Sequence, residues 1–152
     1  NPDSVKSRTG YIIEIMGCPV LWVAKLQTSI ATSTMESEYT ALSMALRAAI
    51  PLLAVVESVV KGLQYKSKQI LSFRATVHED NQGALILATL EPGRHTPRSK
   101  FYAIKLHWFR SWLKPKSIVI IFCPTKEQKA DFLTKPLTKD LFQNNRKLSM
   151  GW

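Results

Sequence analysis

The stretch Ser33–Leu42 reads STMESEYTAL, and it places the first helix of the fold. Serine and threonine are good N-terminal caps, and an acid in the first turn, here Glu36, complements the helix dipole. Apolar residues then recur at helical spacing, at positions 41, 42, 45, 49, 52 and 56. The sequence therefore predicts a helix that begins near Ser33. We expect Pro51 to kink or interrupt it, because proline lacks the N–H that a helix interior needs.

Short apolar stretches on both sides of this helix predict strands. Gly10–Gly17 and Pro19–Leu26 are separated by so short a connection that they should pair as an antiparallel hairpin. Further strands are predicted over Phe73–Glu79 and Ser117–Cys123. The other predicted helices run from Asp80-Asn81 to Leu90, from about Arg98 to Lys114, and from near Glu127 to a break at Pro136. This order predicts a single α/β domain over residues 1–152, with one mixed central sheet and helices on its faces.

The composition favours an intracellular protein with a polyanionic partner. Twenty-one Lys and Arg against 11 Asp and Glu give a net charge of +10, and nucleic acid is the first candidate. The two cysteines are too few for a disulfide framework and have no metal-ligand spacing. We find no apolar stretch long enough to span a bilayer and no signal peptide, so we expect no membrane partner. The chain begins at Asn1, and we expect it to be a piece of a longer protein.

Three acids stand where predicted elements begin or end: Glu38, Asp80 and Asp131. Glu38 extends the apolar stripe of the first helix by one turn, so its carboxylate should point toward the sheet, where it is costly to desolvate without a cation. Asp80 ends a strand, at the edge where ligand sites collect in α/β folds. Asp131 lies in the first turns of the last predicted helix. Together they could bind two Mg²⁺ ions, which would activate water for phosphodiester hydrolysis.

Each acid also has a purely structural interpretation. Glu38 and Asp131 would be favourable near a helix N-terminus in any case, because of the helix dipole. Asp80 could simply cap the helix that follows it, since Asp is a common N-cap. The local sequence leaves both interpretations open.

A basic and aromatic segment runs from Arg94 to Lys114. Its aromatic and aliphatic side chains form a broad helical face, which we expect to pack in the core. The narrow opposite face and the residues just before it are cationic: Arg94, Arg98, Lys100, His107, Arg110 and Lys114. These cations could follow a phosphate backbone, or they could be a solvated helix surface.

Six segments, in their order along the chain, resemble the ribonuclease H domain at the end of copia-type retrotransposon polyproteins. They are Ser7–Tyr11, Leu21–Gln27, Ser33–Leu42, Glu79–Ala84, His95–Lys100 and Ala130–Leu137. The most specific features are Glu38 with the Tyr-x-Ala-Leu after it, Asp-Asn-Gln at 80–82, and ADFLTKPL at 130–137. Phe101 and Ala103 depart from the family, which commonly carries His and Asp at these positions.

The resemblance implies a ribonuclease H-like fold that cleaves the RNA strand of RNA/DNA hybrids during reverse transcription. It implies four metal-binding carboxylates, of which Glu38, Asp80 and Asp131 match three, and two Mg²⁺ or Mn²⁺ ions. The family's first Asp lies on a strand that precedes the segment Ser7–Tyr11, and Asp3 falls in the loop that should follow that strand. We therefore expect the chain to lack the first strand and its Asp, and to be inactive on its own.

The same resemblance implies partners and a location. We expect an RNA/DNA hybrid and the reverse transcriptase domain of the same polyprotein as partners. The residues expected to contact nucleic acid are Asn81, Gln82, Arg94, His95, Arg98, Lys100 and Arg110. We expect the protein inside the cell, in a cytoplasmic virus-like particle or in the nucleus.

Two other functions remain open at this point. A ribonuclease H-like domain without a full set of metal ligands could be a non-catalytic module that binds or tethers nucleic acid. An integrase-type nuclease fits less well, because that class uses three acids with the Glu last, whereas Glu38 comes first here.

Overall fold

The structure is a computed structural model that describes residues 6–67, 73–97, 99, 102 and 106–151. The described strands are β1 (Arg8–Ile15), β2 (Cys18–Leu26), β3 (Ala75–Glu79) and β4 (Ile118–Phe122). The described α-helices are α1 (Thr34–Ser67), α2 (Gln82–Thr89), α3 (Arg110–Leu113) and α4 (Lys139–Met150). Two 3₁₀ helices, Thr125–Glu127 and Lys129–Leu133, lie between β4 and α4.

β1 and β2 form the antiparallel hairpin that the sequence predicts. Arg8 lies opposite Leu26, and Ile15 lies opposite Cys18. The connection is Met16-Gly17, and both residues have positive φ, 53° and 79°. Two consecutive residues with positive φ make a turn whose twist matches that of the flanking strands. The tight turn therefore sets the pairing of the two strands.

β3 and β4 run parallel, with Ala75 opposite Ile118 and Glu79 opposite Phe122. Within the described residues, the hairpin and the β3–β4 pair are two separate two-stranded sheets. The predicted α/β class is confirmed, but one mixed central sheet is not what the described residues form. The reason is that β1 packs on α1 and on the second 3₁₀ helix rather than hydrogen-bonding to β3.

α1 begins where the sequence predicts. The Ser33 Oγ accepts a hydrogen bond from the Glu36 backbone N–H at 3.1 Å, and the Glu36 carboxylate accepts two from Thr32 at 2.7 Å each. The helix then continues through Pro51 to Ser67, so the predicted interruption is wrong. Pro51 is exposed, and water can therefore satisfy the carbonyl group that the missing N–H leaves free.

α1 is also, among the described helices, the one long and apolar enough to cross a membrane by length and composition. The expectation that no apolar stretch is long enough to span a bilayer is therefore wrong by this test. The N-terminal half of α1 packs in the core through Tyr39, Leu42, Leu46 and Ile50. The core helix of a protein domain passes the same test of length and composition, although only 17% of the apolar window in α1 is buried.

The main core lies between α1, α2 and the β3–β4 pair. Its buried side chains include Tyr39, Leu46, Ala84, Leu87, Phe109 and Ile120. Gly83 lets α2 approach α1 closely, because a Cβ atom at this position would lie 2.8 Å from the Met35 sulfur. This packing holds the first turn of α1 beside the carboxyl end of β3.

The segment after β4 differs from the prediction. The helix expected from near Glu127 to Pro136 is two short 3₁₀ helices, because Gln128 between them has an extended backbone (φ −70°, ψ 99°). α4 was not predicted at all. It follows Thr138 and ends at Gly151, whose φ of 78° is typical of a helix C-cap.

The helix predicted from Arg98 to Lys114 is only partly within the described residues. Residues 98, 100, 101 and 103–105 lie outside them, as does the segment that contains Asp3. Of the described remainder, residues 107–109 form turns and only α3 is α-helical.

Candidate metal centre

Three carboxylates meet at the edge of the core: Glu38, Glu79 and Asp80. One oxygen atom of each lies within 4.8 Å of the corresponding atoms of the other two. Glu38 comes from the first turns of α1, whereas Glu79 and Asp80 come from the end of β3. Oxygen ligands that converge at this spacing are what hard divalent cations such as Mg²⁺ prefer. Two of these three residues, Glu38 and Asp80, are among those that the sequence predicts.

Glu79 is the residue that the sequence analysis missed. It is 6% exposed, and its Oε1 accepts a hydrogen bond from the Asn81 backbone N–H at 3.1 Å. Burial raises the pKa of Glu79 to about 8, with smaller contributions from the charges of Glu38 and Asp80. The alternation of side chains along β3 could have predicted this burial, because it places Glu79 on the same face as Ala75 and Val77.

Glu38 is partly buried and points toward the other acids, as its place on the apolar stripe predicted. Burial raises its pKa, and the charges of Asp80 and Asp131 raise it further, while Lys135 lowers it. A carboxylate whose charged form is opposed in this way gains most from a bound cation. The start of α1 therefore places a carboxylate where a cation would be bound favourably.

Asp80 does not cap α2. The cap is Asn81, whose side-chain Oδ1 accepts a hydrogen bond from the Ala84 backbone N–H at 3.0 Å. The structural interpretation of Asp80 as an N-cap is therefore wrong in this structure. Asn81, which was predicted to contact nucleic acid, has its side-chain oxygen committed to the cap, whereas Gln82 is exposed.

Asp131 lies near these carboxylates but outside the set that meets within 4.8 Å. Its charge reaches Glu38, and its Oδ2 pairs with Lys135 Nζ at 2.8 Å. The second 3₁₀ helix carries it and packs against β1 at Gly10, where an added Cβ would lie 2.6 Å from Thr134 Cγ2. The Gln128 side chain donates to the His78 carbonyl at 3.1 Å, which ties this segment to β3.

The predicted cationic face of the basic segment is placed differently by the structure. Arg110 is 5% exposed and donates through Nη1 to the Arg94 carbonyl at 2.8 Å, and His107 is also buried. Their inward orientation is the reverse of the predicted one. One nitrogen of each side chain has a partner inside the fold, whereas His107 Nε2 and Arg110 Nε are buried with no hydrogen-bond partner among the described residues. Arg94 and His95 are exposed, as a contact with nucleic acid requires. Arg98 and Lys100 lie outside the described residues.

The buried His107 supports the helix turn that carries Glu38. Its Nδ1 and the hydroxyl of the adjacent Tyr39 are hydrogen-bonded at 2.9 Å, and both side chains are buried. Burial, with the charges of Arg110 and His95, lowers the pKa of His107 to about 4, and burial raises that of Tyr39 to about 12. Both groups are therefore neutral at pH 7, and they form a neutral hydrogen bond between α1 and the basic segment.

We expect His107→Leu to lower the free energy of unfolding by about 1–3 kcal/mol, because it leaves the Tyr39 hydroxyl buried without a partner. The double variant Tyr39→Phe/His107→Leu removes both polar groups and should recover part of that loss. Urea unfolding of the parent, both single variants and the double variant measures the coupling. Purely additive losses would show that the hydrogen bond contributes nothing.

The chain has clear relatives among the polyproteins of plant transposons. It is 30% identical over 141 residues to the retrovirus-related Pol polyprotein from transposon TNT 1-94 of Nicotiana tabacum, which covers 93% of this chain and 10% of that protein. It is 31% identical over 152 residues to the Pol polyprotein from transposon RE2 of Arabidopsis thaliana, covering 97% of this chain and 10% of the relative. For transposon RE1 of the same plant the identity is 29% over 148 residues, covering 93% and 9%.

No family model matches the chain, and no solved structure matches it significantly. The fold and the site define an α/β protein with a cluster of carboxylates at the end of a parallel strand pair. Its homologues are retrovirus-related Pol polyproteins, and it corresponds to a region that spans about a tenth of their length. This similarity supports the expected origin in a retrotransposon polyprotein.

Proposed function

We propose that this chain is the ribonuclease H region of a retrotransposon polyprotein and hydrolyses the RNA strand of RNA/DNA hybrids with two Mg²⁺ or Mn²⁺ ions. The observation that carries the proposal is the convergence of Glu38, Glu79 and Asp80 from elements far apart in the sequence. The order of motifs and the homology to Pol polyproteins support the same region of the polyprotein. The other regions of the polyprotein, including its reverse transcriptase, are then its natural partners.

The residues present fit a divalent cation. The donor set is made of carboxylate oxygens only. Burial raises the pKa of Glu38 and of Glu79, and the charges of neighbouring carboxylates raise both further, so a bound cation would favour their charged forms. When bound, the ions would lower the pKa of a water molecule and stabilise the leaving oxygen of the phosphodiester. Glu38 and Asp80 would hold them, Glu79 would add a third carboxylate, and Asp131 would complete the set on release from Lys135.

The rest of the chain would position the substrate. Arg94 and His95 are exposed and can contact phosphates, and the net charge of +10 favours a polyanion over the whole surface. The protein would work where reverse transcription occurs, in a cytoplasmic particle or in the nucleus.

One observation favours a second candidate, a module that binds hybrid without cleaving it. Asp131 is neutralised by Lys135 at 2.8 Å and lies outside the close cluster, so two of the three predicted ligands meet directly. A binding module of this kind would retain the basic surface and would use the polyprotein's other regions for chemistry.

Cleavage of a labelled RNA/DNA hybrid separates the two candidates. We expect Mg²⁺- or Mn²⁺-dependent cleavage of the RNA strand by a longer polyprotein segment that contains this chain, assayed beside residues 1–152 by themselves. EDTA and single-stranded RNA are the controls. If both proteins bind hybrid and neither cleaves it at any metal concentration, the chain is a binding module and not a nuclease.

A further inference from the structure

A groove of about 980 Å³ lies between the two 3₁₀ helices and α4, and it opens onto Asp131. None of the residues predicted to contact nucleic acid lines it. Six of its lining side chains matter here: Lys126, Lys135, Leu141, Asn144, Lys147 and Leu148. The groove therefore lies beside Asp131, whose charge reaches Glu38 of the carboxylate cluster.

The groove carries excess positive charge. Its three lysines face one carboxylate, Asp131, which is already paired with Lys135. Lys126 and Lys147 are exposed, and neither forms an ion pair with another residue that the structure describes. Two unpaired ammonium groups beside a neutralised acid favour a polyanionic ligand.

The wall of the groove formed by α4 carries apolar and amide side chains in addition to its lysine. Leu141, Asn144 and Leu148 are spaced by three and four residues, so they share one face of the helix. The two leucines are 52% and 55% exposed, although apolar side chains of this size are usually covered. Amide groups can hydrogen-bond sugars and base edges, and exposed leucines can pack on their faces.

The two walls are held in place by contacts within the fold. Phe132 on the second 3₁₀ helix packs edge-to-face on Phe142 of α4, with ring centroids 5.9 Å apart. Lys129 pairs with Glu14 of β1 at 2.8 Å, which anchors the same 3₁₀ helix to the hairpin. The groove is therefore a formed feature of the fold rather than a gap between loose segments.

We propose that this groove binds one nucleic-acid strand, with Lys126 and Lys147 as phosphate contacts, and leads it to the carboxylates. The identity of the ligand as nucleic acid rests on the proposed function, because continuity with Asp131 is what favours it over an acidic peptide. Lys135 bridges the groove and the metal centre.

The test is hybrid binding by residues 1–152, measured by fluorescence anisotropy in EDTA at several salt concentrations. Lys126→Gln/Lys147→Gln should lower the steepness of log K against log salt by about 1.8, since each lost phosphate contact removes about 0.9. The matched control is Lys25→Gln/Lys61→Gln, which removes the same charge from exposed positions outside the groove. Lys126→Arg/Lys147→Arg should bind like the parent.

If the groove double variant and the control double variant lose the same amount of salt dependence, the groove is not a binding site. Such a result would show that only the net charge of the protein matters. Binding of a poly-glutamate peptide as tight as that of the hybrid would overturn nucleic acid as its ligand. If the groove double variant melts below the parent, the two single variants replace it. Each should lower the steepness of log K against log salt by about 0.9. Binding is measured without metal, so a parent protein that fails to cleave hybrid would contradict the proposed function but not the groove. A groove double variant that cleaves and binds like the parent would contradict the groove but not the proposed function.

Discussion

Glu79→Gln is expected to stabilise the metal-free protein at pH 9 by on the order of 3 kcal/mol and to have little effect at pH 5. Burial raises the pKa of Glu79 from 4.5 to about 8. Between these values the folded state holds a proton that the unfolded state has released. Stability from this group is therefore complete below pH 4.5 and is lost as pH rises toward 8. Glutamine resembles the protonated carboxyl group and can still accept from the Asn81 N–H, so the variant avoids the loss.

Urea unfolding in EDTA at pH 5, 7 and 9 measures this effect. Glu127→Gln is the matched control, because it removes an exposed carboxylate from the first 3₁₀ helix. A parent and a Glu79→Gln variant that lose stability in parallel between pH 5 and 9 would show that Glu79 is charged at neutral pH in the fold. Millimolar Mg²⁺ at pH 9 should stabilise the parent and stabilise Glu79→Gln less, since a ligand that binds only the folded state acts by mass action.

The elements that the sequence predicts well are those fixed by local chemistry. The hairpin follows from two apolar stretches around Met16-Gly17, and the start of α1 follows from Ser33 and Glu36, which form the capping hydrogen bonds seen in the structure. The parallel pairing of β3 and β4, and the separation of that pair from the hairpin, depend on contacts between distant residues. Such contacts leave no periodic signal in the sequence.

The polar residues of the interior were the hardest to predict. His107 and Arg110 fall on the polar side of a helical projection, yet both are buried. Tyr39 and the Arg94 carbonyl each supply one partner, and His107 Nε2 and Arg110 Nε have none among the described residues. Glu79 lies on an apolar strand face, and the cost of burying a carboxylate argued against it. The structure brings Glu79 next to Glu38 and Asp80, and a cation shared by the three carboxylates would offset the cost of burying it.

The close approach of the second 3₁₀ helix to β1 explains why Asp131 was predicted in the wrong kind of element. Gly10 leaves no Cβ atom in the space that Thr134 and Leu133 occupy, so the segment packs flat on the strand. An extended Gln128 then prevents a continuous helix.

Asp80→Asn is expected to melt at the same temperature as the parent, or higher, without metal, and to abolish cleavage in the longer polyprotein segment. The variant removes a negative charge that raises the pKa of both Glu38 and Glu79, and so relieves the repulsion between Asp80 and the Glu38 carboxylate. It leaves the helix cap intact, because Asn81 rather than Asp80 accepts the hydrogen bond from Ala84. The oxygen that remains on the amide is a neutral and weaker ligand for a divalent cation.

The effect of Mg²⁺ on thermal stability tests whether Asp80 is a metal ligand. At a Mg²⁺ concentration of 100 times the dissociation constant, the parent should gain about 2.7 kcal/mol, and Asp80→Asn should gain much less. Thermal melts with EDTA and with Mg²⁺ compare the two proteins with Asp140→Asn, which removes an exposed acid from the first turn of α4. If Asp80→Asn melts well below the parent in EDTA, Asp80 is a structural residue. The two-metal interpretation would then lose its central ligand, since Glu38 and Glu79 alone would remain of the close cluster.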